Sequence, residues 1–260
     1  MRLAVSDAKA FLRNLKQRPE NFYLIHYSCQ NLNDDNEGLS PRITSIAVSH
    51  FATEQSVSFS THAIAEELRI PRDDVFARFD EVETELLTRF YQFVRDRRAS
   101  YWIHWNMRNS TYGFEHLEHR FRVLGGTDPS VVPVEQRINL NDMLSRRYGS
   151  RYAGHPKMQG LMEMNGGRHR DFLSGQEEVT AFQASDFMKM HMSTLCKVGF
   201  FHSVTERMLK GKLKTKSRGA GALLDRAMES RTAKGASVAA SGTGLVYASS
   251  DFLPWLISLL

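Results

Sequence analysis

Cysteine is scarce in this chain, which has only Cys29 and Cys196 in 260 residues. The N-terminal stretch MRLAVSDAKAFLRNLKQRPENF has no long apolar core of the kind a secretory leader needs. Two lone thiols in that context predict no structural disulfide and a cytoplasmic location with both thiols reduced. No paired Cys or Cys/His spacing of a structural zinc site occurs. Long apolar runs are also missing, and none approaches the roughly 20 residues of a membrane-spanning helix. No internal repeat is evident. Nor is there an excess of acid: Lys and Arg number 34 against 29 Asp and Glu, a net charge of +5. That balance favours an anionic partner, such as nucleic acid or an anionic surface.

What is present suits a globular domain. The chain is 42% hydrophobic and 24% charged, and 260 residues can bury a full core with a tail to spare. Residues 5–17 carry a helical pattern with Ser6 as a candidate N-cap. Residues 22–27 are rich in β-formers, 31–42 hold loop residues, and 43–51 and 55–61 read as two further strands joined by short turns. The period then changes. Residues 62–69 and 73–97 place Val75, Phe76, Phe79, Val82, Leu86, Leu87, Phe90, Phe93 and Val94 on one helical stripe. A strand at 101–106 follows, then a helix at 112–123 with Phe114, Leu117, Phe121 and Val123 facing inward. Residues 126–136 are a Gly/Pro loop, and 137–148 open a helix with Asn139 or Asn141 as its cap. The Gly-, Arg- and Met-rich stretch 149–172 has no clear period. Residues 176–211 read as two helices. Beyond about 214 the composition turns to Lys, Ser, Gly, Ala and Thr, with one helix-like run at 221–233 and an apolar end, DFLPWLISLL. That end can dock on the core, bind a partner, or begin a further element.

An antiparallel meander, a crossover helix and a further strand predict an α/β fold: a mixed sheet with helices against its faces, plus a C-terminal helical region and tail. The expected division is a domain over 1–213 and a tail over 214–260. One segment admits another reading. Residues 62-HAIAEELRIPRDDVFARF-79 resemble a helix-turn-helix entry, but Pro71 stands where the turn often has Gly, so a connection into the crossover helix is preferred.

Three segments carry a resemblance. They are 22-FYLIHYSCQNL-32, 104-HWNMRNSTYGFEHL-117 and 186-DFMKMHMSTLCKVGFFHSVTE-206. In order and spacing they resemble the motif regions of the DEDD-type 3′→5′ exonucleases, which have a ribonuclease H-like fold. The resemblance implies a site in which a cluster of carboxylates holds two metal ions. Here the first two acids become His26 and Ser28. His104 and Asn106 approximate the opening of the second motif, Tyr112 stands for its Phe, and its Asp becomes Gly113. In the third, His191 is placed as a base, but the residues four and five beyond it are Leu195 and Cys196. Mg²⁺ needs hard anionic oxygens, which His and Ser do not supply. The resemblance therefore implies a degenerate catalytic centre, with no metal site and no cofactor.

Each of these residues also has a structural reading. His26, Ser28 and His104 suit buried polar positions on strands. His116 and His119, three apart on a helix, permit a metal pair but equally suit a polar helix face. The Asp34, Asp35, Glu37 cluster suits a solvated loop better than a cation site. Arginine is more suggestive: Arg95, Arg97 and Arg98 close one helix, and Arg108, Arg120, Arg122, Arg146, Arg147, Arg151, Arg168 and Arg170 follow, with Tyr148 and Tyr152 interleaved. Arginine beside aromatics suits phosphate contact and base stacking, so Arg108, Arg120, Arg146, Arg147, Arg151, Arg168 and Arg170 are the candidate nucleic-acid contacts. The segment 210-KGKLKTKSR-218 can grip phosphate or serve as a solvated linker.

The expected function is binding of nucleic acid, or of a partner that processes it, without two-metal cleavage. One alternative is an active nuclease with acids from Asp34, Glu115 or Asp186, and only that reading requires Mg²⁺ or Mn²⁺. The other is a protein-interaction module, or a homo-oligomer, built on residues 176–260.

Overall fold

A computed structural model describes residues 7–30, 40–108 and 111–216. Five strands form one mixed sheet in the order β3-β2-β1-β4-β5. They are β1 (Phe22–Cys29), β2 (Ile43–His50), β3 (Ser56–Ser60), β4 (Tyr101–His104) and β5 (Arg137–Asn139). β1 pairs antiparallel with β2, and β2 with β3, while β1–β4 and β4–β5 are parallel. The helices are α1 (Ala8–Gln17), α2 (Thr61–Glu67), α3 (Phe79–Arg95), α4 (Phe114–Val123), α5 (Leu140–Tyr148), α6 (Lys157–Met164), α7 (Gly175–Gln183) and α8 (Phe187–Leu209). This is an α/β fold with the ribonuclease H-like sheet order. None of its described helices is long and apolar enough to cross a membrane.

The two-residue period of β1 sends alternate side chains to opposite cores. Ile25, Tyr27 and Cys29 join Ile43, Ile46, Val48 and Trp102 under α2, α3 and α4. Phe22 and Leu24 face the other way, with Ala47, Ile103 and Ile138, under α1, α5, α6 and α8. β1 and β2 are buried on both faces, which is why they read as near-continuous runs and not as alternation. On α3, Phe79, Val82, Leu86, Leu87, Phe90 and Val94 are buried, each contributing about 2 kcal/mol of gross transfer energy. The small residues Ser45 and Ser49, on the Ala47 side of β2, are also buried.

Local signals end the elements where the chemistry requires. Asp7 caps α1 through the Lys9 amide, while the expected cap Ser6 lies outside the described residues. Asn139 caps α5 through the Asn141 amide, as expected, and Gly149 follows that helix at φ 85°. Ser174 and Glu177 form a reciprocal capping box on α7.

Three expectations are corrected. The helix expected from 73 begins at Phe79: residues 72–74 form a single 3₁₀ turn, Val75 is buried ahead of the helix, and Phe76 is 49% exposed. Val123 ends α4 pointing outward at 55% exposure. Residues 137–139 are strand and not helix, because a three-residue strand shows no period of its own. The unplaced stretch 149–172 contains α6. The helix-turn-helix reading also gives way to the connection reading, since Ile64, Ala65, Ile70, Val75 and Phe79 are all buried in one core. The loop acids Asp34, Asp35 and Glu37, the run 221–233 and the apolar C-terminus lie outside the described residues.

Candidate functional site

β1 and β4 run parallel, so their C-terminal ends open on the same side of the sheet. There a cavity of about 570 Å³ is lined by His26, Gln30, Trp105, Asn106, Tyr112, Gln176, Glu178 and Lys197, among others. A crevice beyond the carboxyl ends of strands is where α/β sheets usually place ligands.

Among the resemblance positions, His26, Asn106 and Tyr112 line this cavity. Ser28 stands behind its wall, its hydroxyl donating to Glu178 Oε1 at 2.9 Å and lying 2.8 Å from Thr194 Oγ1. Gly113 opens α4, and its amide donates to Tyr27 Oη at 2.8 Å. His104 is buried 5.6 Å from Phe114, with Nδ1 accepting from the Met107 amide at 3.2 Å. Burial and nearby arginines lower its pKa to about 3, so it is neutral. His191 lies elsewhere: its partners are Ser58 Oγ at 2.8 Å and the His62 ring, at β3, two strands from His26.

The charge of the cavity comes from two residues that the sequence did not single out. Lys197 Nζ donates to Glu178 Oε1 at 2.5 Å, and the two side chains are 7% and 16% exposed. Ser193 Oγ reaches the same oxygen at 3.3 Å. Glu178 is the sole carboxylate among the described lining residues. A usable signal existed for Lys197, which falls on the buried stripe of α8 with Met190, Thr194, Phe201 and Val204. A cation on an apolar stripe calls for a buried partner.

Of the acids considered as metal ligands, the two that are described, Glu115 and Asp186, are engaged elsewhere. Glu115 and Glu118 flank Arg137. Asp186 caps α8 through the Lys189 amide. His116 spends both nitrogens, with Nδ1 accepting from Tyr27 Oη at 2.9 Å and Nε2 donating to the Pro41 carbonyl at 3.0 Å. No group of three or more His, Cys, Asp or Glu is arranged to hold a metal ion among the described residues.

His26 has a defined tautomer. Tyr112 Oη donates to the Tyr27 carbonyl, which can only accept, at 3.0 Å. Its oxygen then accepts from His26 Nδ1–H at 3.1 Å. Burial, reinforced by the Lys197 charge, holds the His26 pKa well below its usual value. The ring is neutral, and Nε2 is a bare acceptor.

Asn106 adopts φ 55°, a left-handed conformation that Asn tolerates better than most residues. Its Oδ1 accepts from Arg108, Asn139 and Asn141. Asn141 Oδ1 accepts from Tyr152 Oη, and the Tyr152 carbonyl accepts from the Lys216 amide. That path joins the cavity to an exposed basic strip. Lys212, Lys214 and Lys216 are exposed and alternate with buried Leu213 and Thr215, and Arg151 is exposed next to Tyr152.

The seven candidate arginines are dispersed. Arg120 is buried, with Nε and Nη2 on Glu83 at 2.9 and 2.7 Å and Nη2 also on Asp80, so it belongs to the fold. Arg108 pairs with Asp142 at 2.6 Å, and Arg168 with Glu177 at 2.5 Å. Arg147 sits over the Tyr148 ring. Arg146, Arg151 and Arg170 are exposed, the last beside Asp171. The chain matches no family model and no curated relative.

Proposed function

We propose that this chain is a ribonuclease H-like module that binds nucleic acid without two-metal cleavage, in keeping with its resemblance to DEDD-type exonucleases. One observation carries the reading. Among the described residues, the cavity at the ends of β1 and β4 has a single lining carboxylate, and a lysine ammonium already occupies it. Two-metal chemistry needs several carboxylate oxygens around ions about 3.5–4 Å apart. The basic strip of Arg151, Lys212, Lys214 and Lys216 supports a sequence-independent grip on phosphates.

The test mixes the full chain with labelled single- and double-stranded DNA and RNA, in Mg²⁺, Mn²⁺ or EDTA. The expected result is binding that weakens steeply with salt and no degradation in any metal. Metal-dependent degradation removes the proposal, as does an absence of binding at low salt.

A further inference from the structure

The cavity combines four features. Its charge is balanced, because Lys197 and Glu178 neutralise each other. It holds aromatic and amide groups, Trp105, Tyr112, Gln30, Asn106 and Gln176. His26, only 6% exposed, leaves Nε2 without a hydrogen-bond donor. Finally, α7 begins at its wall, with Gly175 and Gln176 among the lining residues, and the amides of these first two helical positions have no acceptor within the helix.

Balanced charge decides between ligand types. A phosphate would bring one or two negative charges into a space whose only cation among the described lining residues is already paired, and the desolvation would go uncompensated. A neutral planar ring with donors and acceptors on its edge meets no such penalty. Pockets of about 300–1,000 Å³, mostly apolar with a few placed polar groups, are the usual size for such ligands.

We propose that this cavity binds one unstacked nucleobase by its edge: His26 Nε2 accepts from a base N–H, and the Gly175 and Gln176 amides donate to its ring nitrogen or carbonyl. The inference rests on the nucleic-acid reading above and assigns to the cavity the base, while the basic strip holds the backbone. Every common base carries both a donor and an acceptor on its pairing edge, so the site selects unpaired bases over paired ones and not one base over another. A free nucleoside offers the same edge as a base in a strand.

Two assays on the full chain test it. In the first, ¹⁵N-labelled histidine spectra are recorded with each of the four free ribonucleosides. In the second, anisotropy follows a labelled single strand and the same strand carrying one abasic position at each site in turn. The expected results are a nucleoside-dependent shift of the His26 Nε2 signal and a weakening of about tenfold at one abasic position, within the range of a lost base–aromatic stack. Gly175→Pro removes one amide donor at a first helical position, where Pro is tolerated, and no neighbour lies within 4 Å of an added Cβ. It should weaken intact strands severalfold and leave abasic strands unchanged. His26→Phe, checked for folding by its melting curve, should abolish the nucleoside effect. If strands bind but neither nucleosides nor abasic positions matter, the base site falls and the binding function stands. If nucleosides shift His26 but strands do not bind, the cavity is a site for a free nucleoside and the nucleic-acid reading falls. If neither binds, both fall.

Discussion

Lys197 Nζ and Glu178 Oε1 lie 2.5 Å apart, on two helices that meet over the end of β1. Three donors converge on that one oxygen, from Lys197, Ser28 and Ser193. Removing one partner strands a buried charge, which typically costs on the order of 3 kcal/mol, whereas apolar replacement of both costs far less. Lys197→Met and Glu178→Leu should each destabilise by about that amount. The double variant Lys197→Met/Glu178→Leu should lose well under their sum. A urea double-mutant cycle with coupling near zero would show that the contact does not form in solution.

Acid should unfold this protein earlier than its ion pairs alone would suggest. Burial lowers the pKa of His116 to about 4, and that of His191 to about 4, from 6.5. Both folded values lie below the unfolded one, so the unfolded chain takes up protons first as pH falls. Their stabilising effect is complete above pH 6.5 and is lost as pH drops towards 4. Urea midpoints should therefore fall across that window. His116→Gln keeps a donor for the Pro41 carbonyl and removes one titration, so its profile should be shallower by about one proton. Identical slopes for the two proteins would contradict the assignment.

The fold was legible because its long elements carry strong periods. The stripe Phe79, Val82, Leu86, Phe90 placed α3, and the β-rich runs placed β1 and β2. β5 was not legible, since Arg137–Asn139 is too short for any pattern and depends on pairing with β4. The site was half legible. His26 and Asn106 were found from motif spacing and do line the cavity. Glu178 and Lys197 were missed, because their partnership spans two helices and a sequence gives no distance between them. Arg120 shows the opposite error: its type suggested a phosphate contact, but Glu83 buries it.

Gly160 explains part of the glycine-rich stretch that has no period. A Cβ there would stand 2.7 Å from the Gly154 carbonyl oxygen and 2.9 Å from its nitrogen, both backbone atoms that cannot swing away. α6 therefore packs directly on Gly154, two residues beyond Tyr152, whose carbonyl accepts from the Lys216 amide. Gly160→Ala should destabilise by about 1–3 kcal/mol, the usual range for overpacking, despite the better helix propensity of Ala. A melting temperature equal to or above that of the parent would show that the close approach is absent.

The basic strip and the buried arginine make opposite predictions under one pair of measurements. Arg151 and Lys214 are exposed, and in the proposed complex each neutralises a phosphate. Arg151→Ala and Lys214→Ala should each weaken strands of any sequence several-fold and reduce the slope of log K against log salt by about 1. Neither should move the urea midpoint by more than about 0.5 kcal/mol, because exposed substitutions rarely do. Arg120 is 7% exposed and holds the fully buried Glu83. Arg120→Met should therefore lower stability by about 3 kcal/mol, while the protein that remains folded keeps its full affinity and salt slope. If Arg120→Met instead lowers the salt slope, the phosphates reach the α3–α4 side of the sheet. The strip at 212–216 would then not be the surface that grips them.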